Sequence, residues 1–107
     1  MPSSSPLLRV SVTRTGSTAV LRIEGELDYA TAPELAQHLA EVVRAARPKQ
    51  IVVEADGIAF ADVAGLDPLI RLAQGFGPGV VRVRKAPRPL ARVIRLLDMA
   101  DLLGLDR

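Results

Sequence analysis

Glu54-Ala55-Asp56-Gly57-Ile58-Ala59-Phe60-Ala61-Asp62-Val63-Ala64-Gly65-Leu66 joins a β-branched run to an amphipathic repeat, and that junction decides the fold class. On its amino-terminal side, Ile51-Val52-Val53 has the composition of a strand buried on both faces. On the other side, Leu66, Leu69, Ile70 and Ala73 recur at i, i+3, i+4 and i+7, the spacing of one helix face. The stretch therefore reads as a loop from a central strand to a helix. In an open α/β sheet, ligands and partners meet the fold at such carboxyl-terminal strand ends. Asp62 stands three residues before Gly65, so its carboxylate can cap free helix amides while Gly65 permits close backbone approach.

Upstream, Leu8, Val10 and Val12 alternate with Arg9, Ser11 and Thr13, and Leu21 and Ile23 alternate with Arg22 and Glu24. With Thr15-Gly16-Ser17 between them, these predict an antiparallel hairpin with one polar face. Gly25 to Asp28 closes the second strand, and Thr31 with Glu34 is a capping-box pattern, with Pro33 in the first helical turn. Leu35, Leu39, Val42 and Val43 then line a helix that stops near Arg47-Pro48. The third strand spans Gln50 to Glu54, and the second helix ends at Gly75-Phe76-Gly77-Pro78-Gly79. A fourth strand, Val80 to Arg84, a helix from about Pro89 to Leu97 and a helical turn over Asp98 to Leu105 complete the chain. The order ββαβαβα requires parallel strands across each helix. Polar faces on three strands predict an α/β fold with a four-stranded mixed sheet and helices mainly on one face.

At the two strand ends the sequence resembles the STAS domains, best known as bacterial anti-sigma factor antagonists. Gly25-Glu26-Leu27-Asp28, followed by Thr31-Ala32-Pro33-Glu34-Leu35, is similar to one family motif, and Phe60-Ala61-Asp62-Val63-Ala64-Gly65-Leu66 to the other. The resemblance spans residues 8 to 104 and implies the same ββαβαβα architecture. It further implies a non-enzymatic protein-binding regulator whose loop and following helix dock onto an anti-sigma factor of the serine-kinase type and free the sigma factor. Carried onto this chain, the implied partner-binding residues are Asp28, Asp56, Phe60, Asp62, Val63, Ala64, Gly65 and Leu66. The family's phosphorylated serine falls on Ala64 and its neighbouring hydroxyl on Val63, so the usual phosphorylation position is not phosphorylatable here. A bulkier residue at Gly65 is expected to weaken partner binding more than folding. An alternative is the family's accessory subunits of lipid-transport ABC systems, which contact an ATPase and whose loop reads Asp-Thr-Ala-Gly-Leu. Ala64 fits that pattern and Val63 does not.

The 107 residues suit one domain, expected over residues 7–107 behind a disordered tail over residues 1–6. Hydrophobic residues make up 49%, yet only 3% are aromatic and there is no Trp, so the core must be aliphatic. Absent cysteine excludes disulfides, thiolate metal sites and thiol catalysis, in keeping with a cytoplasmic protein. The start has neither the basic cluster nor the apolar run of a secretory signal, and no stretch reaches the length of a membrane span.

No cofactor and no metal are expected. His38, four residues after Glu34 and three before Glu41, reads as ordinary helix pairing. Gly75, Gly77 and Gly79 precede a strand instead of opening a helix, so they make a turn, not a phosphate cradle. Asp56 and Asp62 have no nucleophile or histidine beside them, which argues against catalysis. Thr31 reads as a cap, and Ser3, Ser4 and Ser5 fall in the tail. Between Pro68 and Leu97 there is no acid, while Arg71, Arg82, Arg84, Lys85, Arg88, Arg92 and Arg95 are all positive. The first half carries Glu24, Glu26, Asp28, Glu54, Asp56, Asp62 and Asp67, a polarity able to steer a charged partner. Nucleic-acid binding through Lys85, Arg88, Arg92 and Arg95 on a basic last helix is a weaker alternative, because no aromatic stacking platform accompanies them.

Overall fold

The computed structural model describes residues 7–106, so the tail expected over residues 1–6 lies outside the described residues. Strands β1 (Leu8–Thr15) and β2 (Thr18–Leu27) form the expected hairpin, turning over Gly16 and Ser17. Helix α1 (Ala32–Ala46) leads to β3 (Gln50–Ala61), then α2 (Val63–Phe76), β4 (Val81–Arg84) and α3 (Arg88–Leu96). The sheet order is β1-β2-β3-β4, with β2, β3 and β4 mutually parallel and β1 antiparallel to β2. Both crossovers step the same way across the sheet, and the common handedness of such connections puts their helices on one face. α1 and α2 accordingly pack against each other. The expected α/β mixed sheet, with helices mainly on one side, is the observed architecture.

Alternation decides which side chains are buried. Leu21 and Ile23 of β2, Ile51, Val53 and Ala55 of β3, and Val81 and Val83 of β4 face the helices and are buried. They meet Leu35 and Leu39 of α1, Leu66, Leu69, Ile70 and Ala73 of α2, and Leu90 and Ile94 of α3 in one aliphatic core. The opposite sheet face carries charge. There Arg22 pairs with Asp56 at 2.9 Å and Glu24 at 3.6 Å, and Glu54 sits 3.6 Å from Arg84 and 3.7 Å from Lys85. The acidic first half and basic second half of the sequence are thus partly interleaved on one surface, which reduces the expected polarity.

One local expectation is corrected. β3 does not stop at Glu54 but continues to Ala61, because register shifts between Arg22 and Glu24 and between Gly25 and Glu26 absorb extra β3 residues as bulges. Gly57, expected in a loop, therefore pairs with Glu24, and Asp56 lies in the bulge of the continuing strand. The segment Asp98 to Leu105 makes the expected turn, the Leu103 amide donating to the Met99 carbonyl at 2.9 Å, and it seals the free side of β4. The Val83 amide donates to the Leu103 carbonyl at 2.8 Å and the Asp106 amide donates to the Val83 carbonyl at 3.3 Å. Gly104, at φ +56, lies so close that a Cβ would stand 2.7 Å from the Val81 carbonyl oxygen. An exposed strand edge is thereby covered.

Leu103 anchors this seal with its side chain fully buried. Leu103→Ala is expected to lose about 2–5 kcal/mol of stability in urea unfolding, whereas Leu96→Ala, at a position 74% exposed, should stay within about 0.5 kcal/mol of the parent. Equal effects would show that the carboxyl-terminal segment is not part of the cooperative core.

Candidate functional site

At the carboxyl-terminal ends of β2 and β3 the chain makes two tight entries into helices. Asp62 is the N-cap of α2, in extended conformation, and its Oδ1 accepts from the Gly65 amide at 2.9 Å. The Asp62 amide donates to the Leu27 carbonyl at 3.0 Å, tying the end of β3 to the end of β2. Gly65 lies directly on the Leu27-Asp28 peptide, and a Cβ there would overlap the Leu27 carbonyl and the Asp28 nitrogen. The close approach read from the sequence is real, and the surface it touches is the chain's own backbone.

The entry to α1 differs from the capping box expected of Thr31 and Glu34. Thr31 makes no side-chain cap bond within α1. Instead the bond pattern is moved one turn earlier. The Thr31 amide donates to Asp28 Oδ1 at 3.0 Å and the Asp28 amide donates to Thr31 Oγ1 at 3.0 Å. The Thr31 hydroxyl in turn donates to the Glu26 carbonyl at 2.8 Å, and the side chain is buried. Asp28 caps the turn, and Thr31 spends its hydroxyl inside the fold.

These two entries hold the amino-terminal turns of α1 and α2 side by side, with an open groove of about 810 Å³ between them. Tyr29, Ala30, Ala32, Pro33 and Ala36 line it from the α1 side, and Val63, Ala64, Asp67 and Pro68 from α2. Its wall is mainly apolar, and Tyr29 and Val63 are 83% and 56% exposed. Pro68 has no N–H to give to the carbonyl four residues back, so the Ala64 carbonyl has no i+4 helical donor. Asp67 is held by Arg71 at 2.7 Å on the rim.

The eight residues implied as partner-binding do not form one surface. Val63 and Ala64 line the groove. Asp28 and Asp62 underlie it as caps. Gly65 and Leu66 are buried, because α2 turns that face onto the sheet. Asp56 is drawn to Arg22 on the far sheet face. Phe60 pairs across the ladder with Glu26, half exposed and outside the groove. The reading of the motif did not place Tyr29, Ala30, Ala32, Pro33, Ala36, Asp67 or Pro68 in the site. Of these, the lone exposed tyrosine just past a strand end was a usable signal.

Among the described residues, no group of three or more His, Asp or Glu is placed to hold a metal, and no helix is long and apolar enough to cross a membrane.

The packing at Gly65 sets the sign of a substitution there. Alanine is favoured over glycine in a helix by about 1 kcal/mol, but here the added carbon has to displace backbone held by the Asp62-to-Leu27 bond. Gly65→Ala is expected to destabilise by about 3 kcal/mol or more in urea unfolding. This reverses the expectation that binding suffers more than folding. A neutral or stabilising result would show that the two loops are not in contact.

The likeness to known proteins follows the same architecture. The family model described as "Mlab, STAS domain" matches residues 10–104. No curated protein sequence matches the chain significantly. Among solved structures, an anti-sigma factor antagonist from Mycobacterium paratuberculosis is 24% identical with a TM-score of 0.79, covering 96% of this chain and 88% of that one. The anti-sigma factor antagonist SpoIIAA in its unphosphorylated form is 13% identical with a TM-score of 0.70, over 94% of this chain and 88% of that one. The STAS domain of an antisigma-factor antagonist from Rhodobacter sphaeroides is 21% identical with a TM-score of 0.55, over 68% of this chain and 78% of that one. At these identities the solved structures establish a shared fold, while the family model, covering nearly the whole sequence, establishes membership: the chain belongs to the STAS-domain family.

Proposed function

We propose that this protein is a non-enzymatic binding module that docks through the α1/α2 groove onto an anti-sigma factor of the serine-kinase type, and so frees a sigma factor. The observation that supports it is the groove itself. Tyr29 and Val63 are exposed at its mouth, with apolar small residues between them, and this is the end of the sheet where the family's docking motifs fall. Exposed aromatic and aliphatic side chains beside a preformed apolar surface are the usual anchors of a protein interface. The module acts in the cytoplasm in this reading, where such a partner resides.

Ala64 sets the regulation. In the related antagonists a serine phosphate turns docking off, and a phosphate adds about two negative charges. Position 64 is the second residue of α2 and borders the groove, close in sequence to Asp62 and Asp67. A phosphate there would place its charge among the groove's apolar contacts. Alanine carries no oxygen to accept one, so this protein stays in the docking-competent form, with control left to abundance or to another surface.

The absent hydroxyl also supports the second reading, docking of the same groove onto the ATPase of a lipid-transport ABC system. The two readings differ in the partner, not in the surface.

The test presents the wild-type chain, Val63→Glu and Ala64→Ser to purified serine-kinase anti-sigma factor and to purified ABC ATPase from the same cell. The wild type is expected to bind the kinase without taking up phosphate. Val63→Glu, at an exposed position, should weaken binding about tenfold or more with unfolding unchanged. Ala64→Ser should take up one phosphate from ATP and then release the kinase. Binding to the ATPase alone would move the protein to the transport reading. Binding to either partner that Val63→Glu leaves intact would remove the groove from both readings.

A further inference from the structure

The outer side of α3 is as strongly patterned as its inner side. Leu90, Ala91 and Ile94 are buried against the sheet, while Arg88, Arg92 and Arg95, at i, i+4 and i+7, form one exposed stripe about 10 Å long. Together with Pro89 they border a shallow depression. On a helix wheel Pro89 and Leu96 lie along one flank of this stripe, and Leu96 is 74% exposed. The outward surface is therefore a row of guanidinium groups edged by apolar side chains.

Across the open sheet face and on α2 the chain supplies carboxylates to several of its cations. Arg22, Arg71, Arg84 and Lys85 each meet an Asp or Glu. Among the described residues, no acidic side chain reaches Arg88, Arg92 or Arg95. The arrangement is unfavourable for an isolated helix. Like charges four residues apart repel, and Arg88 at the first helical position faces the positive end of the helix dipole, with no acid in that turn. An external anion would relieve both terms.

We propose that this face of α3 is a second docking surface, separate from the α1/α2 groove, that takes an acidic amphipathic helix of a protein partner. Carboxylates repeating at i, i+4 and i+7 match the arginine stripe, because guanidinium and carboxylate form paired, planar hydrogen bonds. Leucines beside them would cover Leu96 and Pro89. The apolar flank is what favours a protein over the other anions. A phosphate backbone leaves Leu96 uncovered, and the exposed aromatics, Tyr29, Phe60 and Phe76, lie on other elements and offer no stacking platform at the stripe. A lipid surface needs an apolar helix face to insert, and that face of α3 is in the core. None of the residues around the depression borders the α1/α2 groove, so the two surfaces can be occupied together and the inference does not rest on the first.

The probe is a fluorescent peptide of about 18 residues with Glu at i, i+4 and i+7 and Leu on the adjoining positions, titrated against the full chain by anisotropy. A peptide of the same composition with the Glu spacing scrambled, a short duplex DNA and phosphatidylglycerol vesicles serve as the other arms. The patterned peptide is expected to bind, to weaken with added salt, and to lose about tenfold in affinity against the triple variant Arg88→Ser, Arg92→Ser, Arg95→Ser. All three positions are exposed, and an unchanged circular dichroism melt confirms that the variant folds. Leu96→Ser should lose about threefold. Absent peptide binding, equal binding of the scrambled peptide, undiminished binding by the triple variant, or tighter binding of DNA or vesicles through the same arginines would each overturn the proposal.

Discussion

The contact of Gly65 with the Leu27-Asp28 peptide is the constraint from which the functional end of the molecule follows. Two loops that leave adjacent parallel strands touch backbone to backbone, with no room for a methyl group between them. The Asp62-to-Leu27 hydrogen bond and the Thr31 hydroxyl, donated back to the Glu26 carbonyl, fix the same region from either side. Both helix starts are thereby set before any partner arrives. A groove whose walls are already positioned loses less conformational freedom on binding, which leaves more of the contact energy available for affinity. The aspartate and glycine of the motif thus build the surface, and the residues that line the groove are the less conspicuous ones such as Tyr29, Val63 and Ala64.

The distribution of charge obeys the same division between internal and external use. Arg22, Asp56 and Glu24 on one side of the open sheet face, and Glu54, Arg84 and Lys85 on the other, are brought together by strand pairing and by alternation along β2. Such exposed pairs contribute little stability individually. They engage Asp56 with Arg22 on the open sheet face, away from the groove, while among the described residues the arginines of α3 make no ion pair. The two surfaces proposed for partners are thus of different chemistry, an apolar groove at the sheet end and a charged stripe on the flank.

The helices were legible because their apolar periodicity is strict: Leu66, Leu69, Ile70 and Ala73 are the buried face of α2 as read. The open-faced mixed sheet was legible from alternating polar residues such as Arg82 and Arg84. The length of β3 was not, since Asp56 and Gly57 have turn composition and only the pairing partner Glu24 shows that they continue the ladder. Nor was the use of Thr31. Its sequence context satisfies a capping box with Glu34, but Asp28 is equally spaced on the other side and wins, because the strand end presents the Glu26 carbonyl for the hydroxyl to fill. The groove combines residues from two segments, 29–36 and 63–68, with most of α1 and all of β3 between them, so no local pattern could list its lining.

The measurement that bears most directly on this account is amide hydrogen exchange of the full chain with and without its purified partner. The account predicts new protection concentrated in residues 29–36 and 63–68, the two walls of the groove, with the open sheet face unchanged. Protection confined to the sheet face around Arg22, Glu54 and Asp56, with both groove walls exchanging as in the free protein, would contradict it.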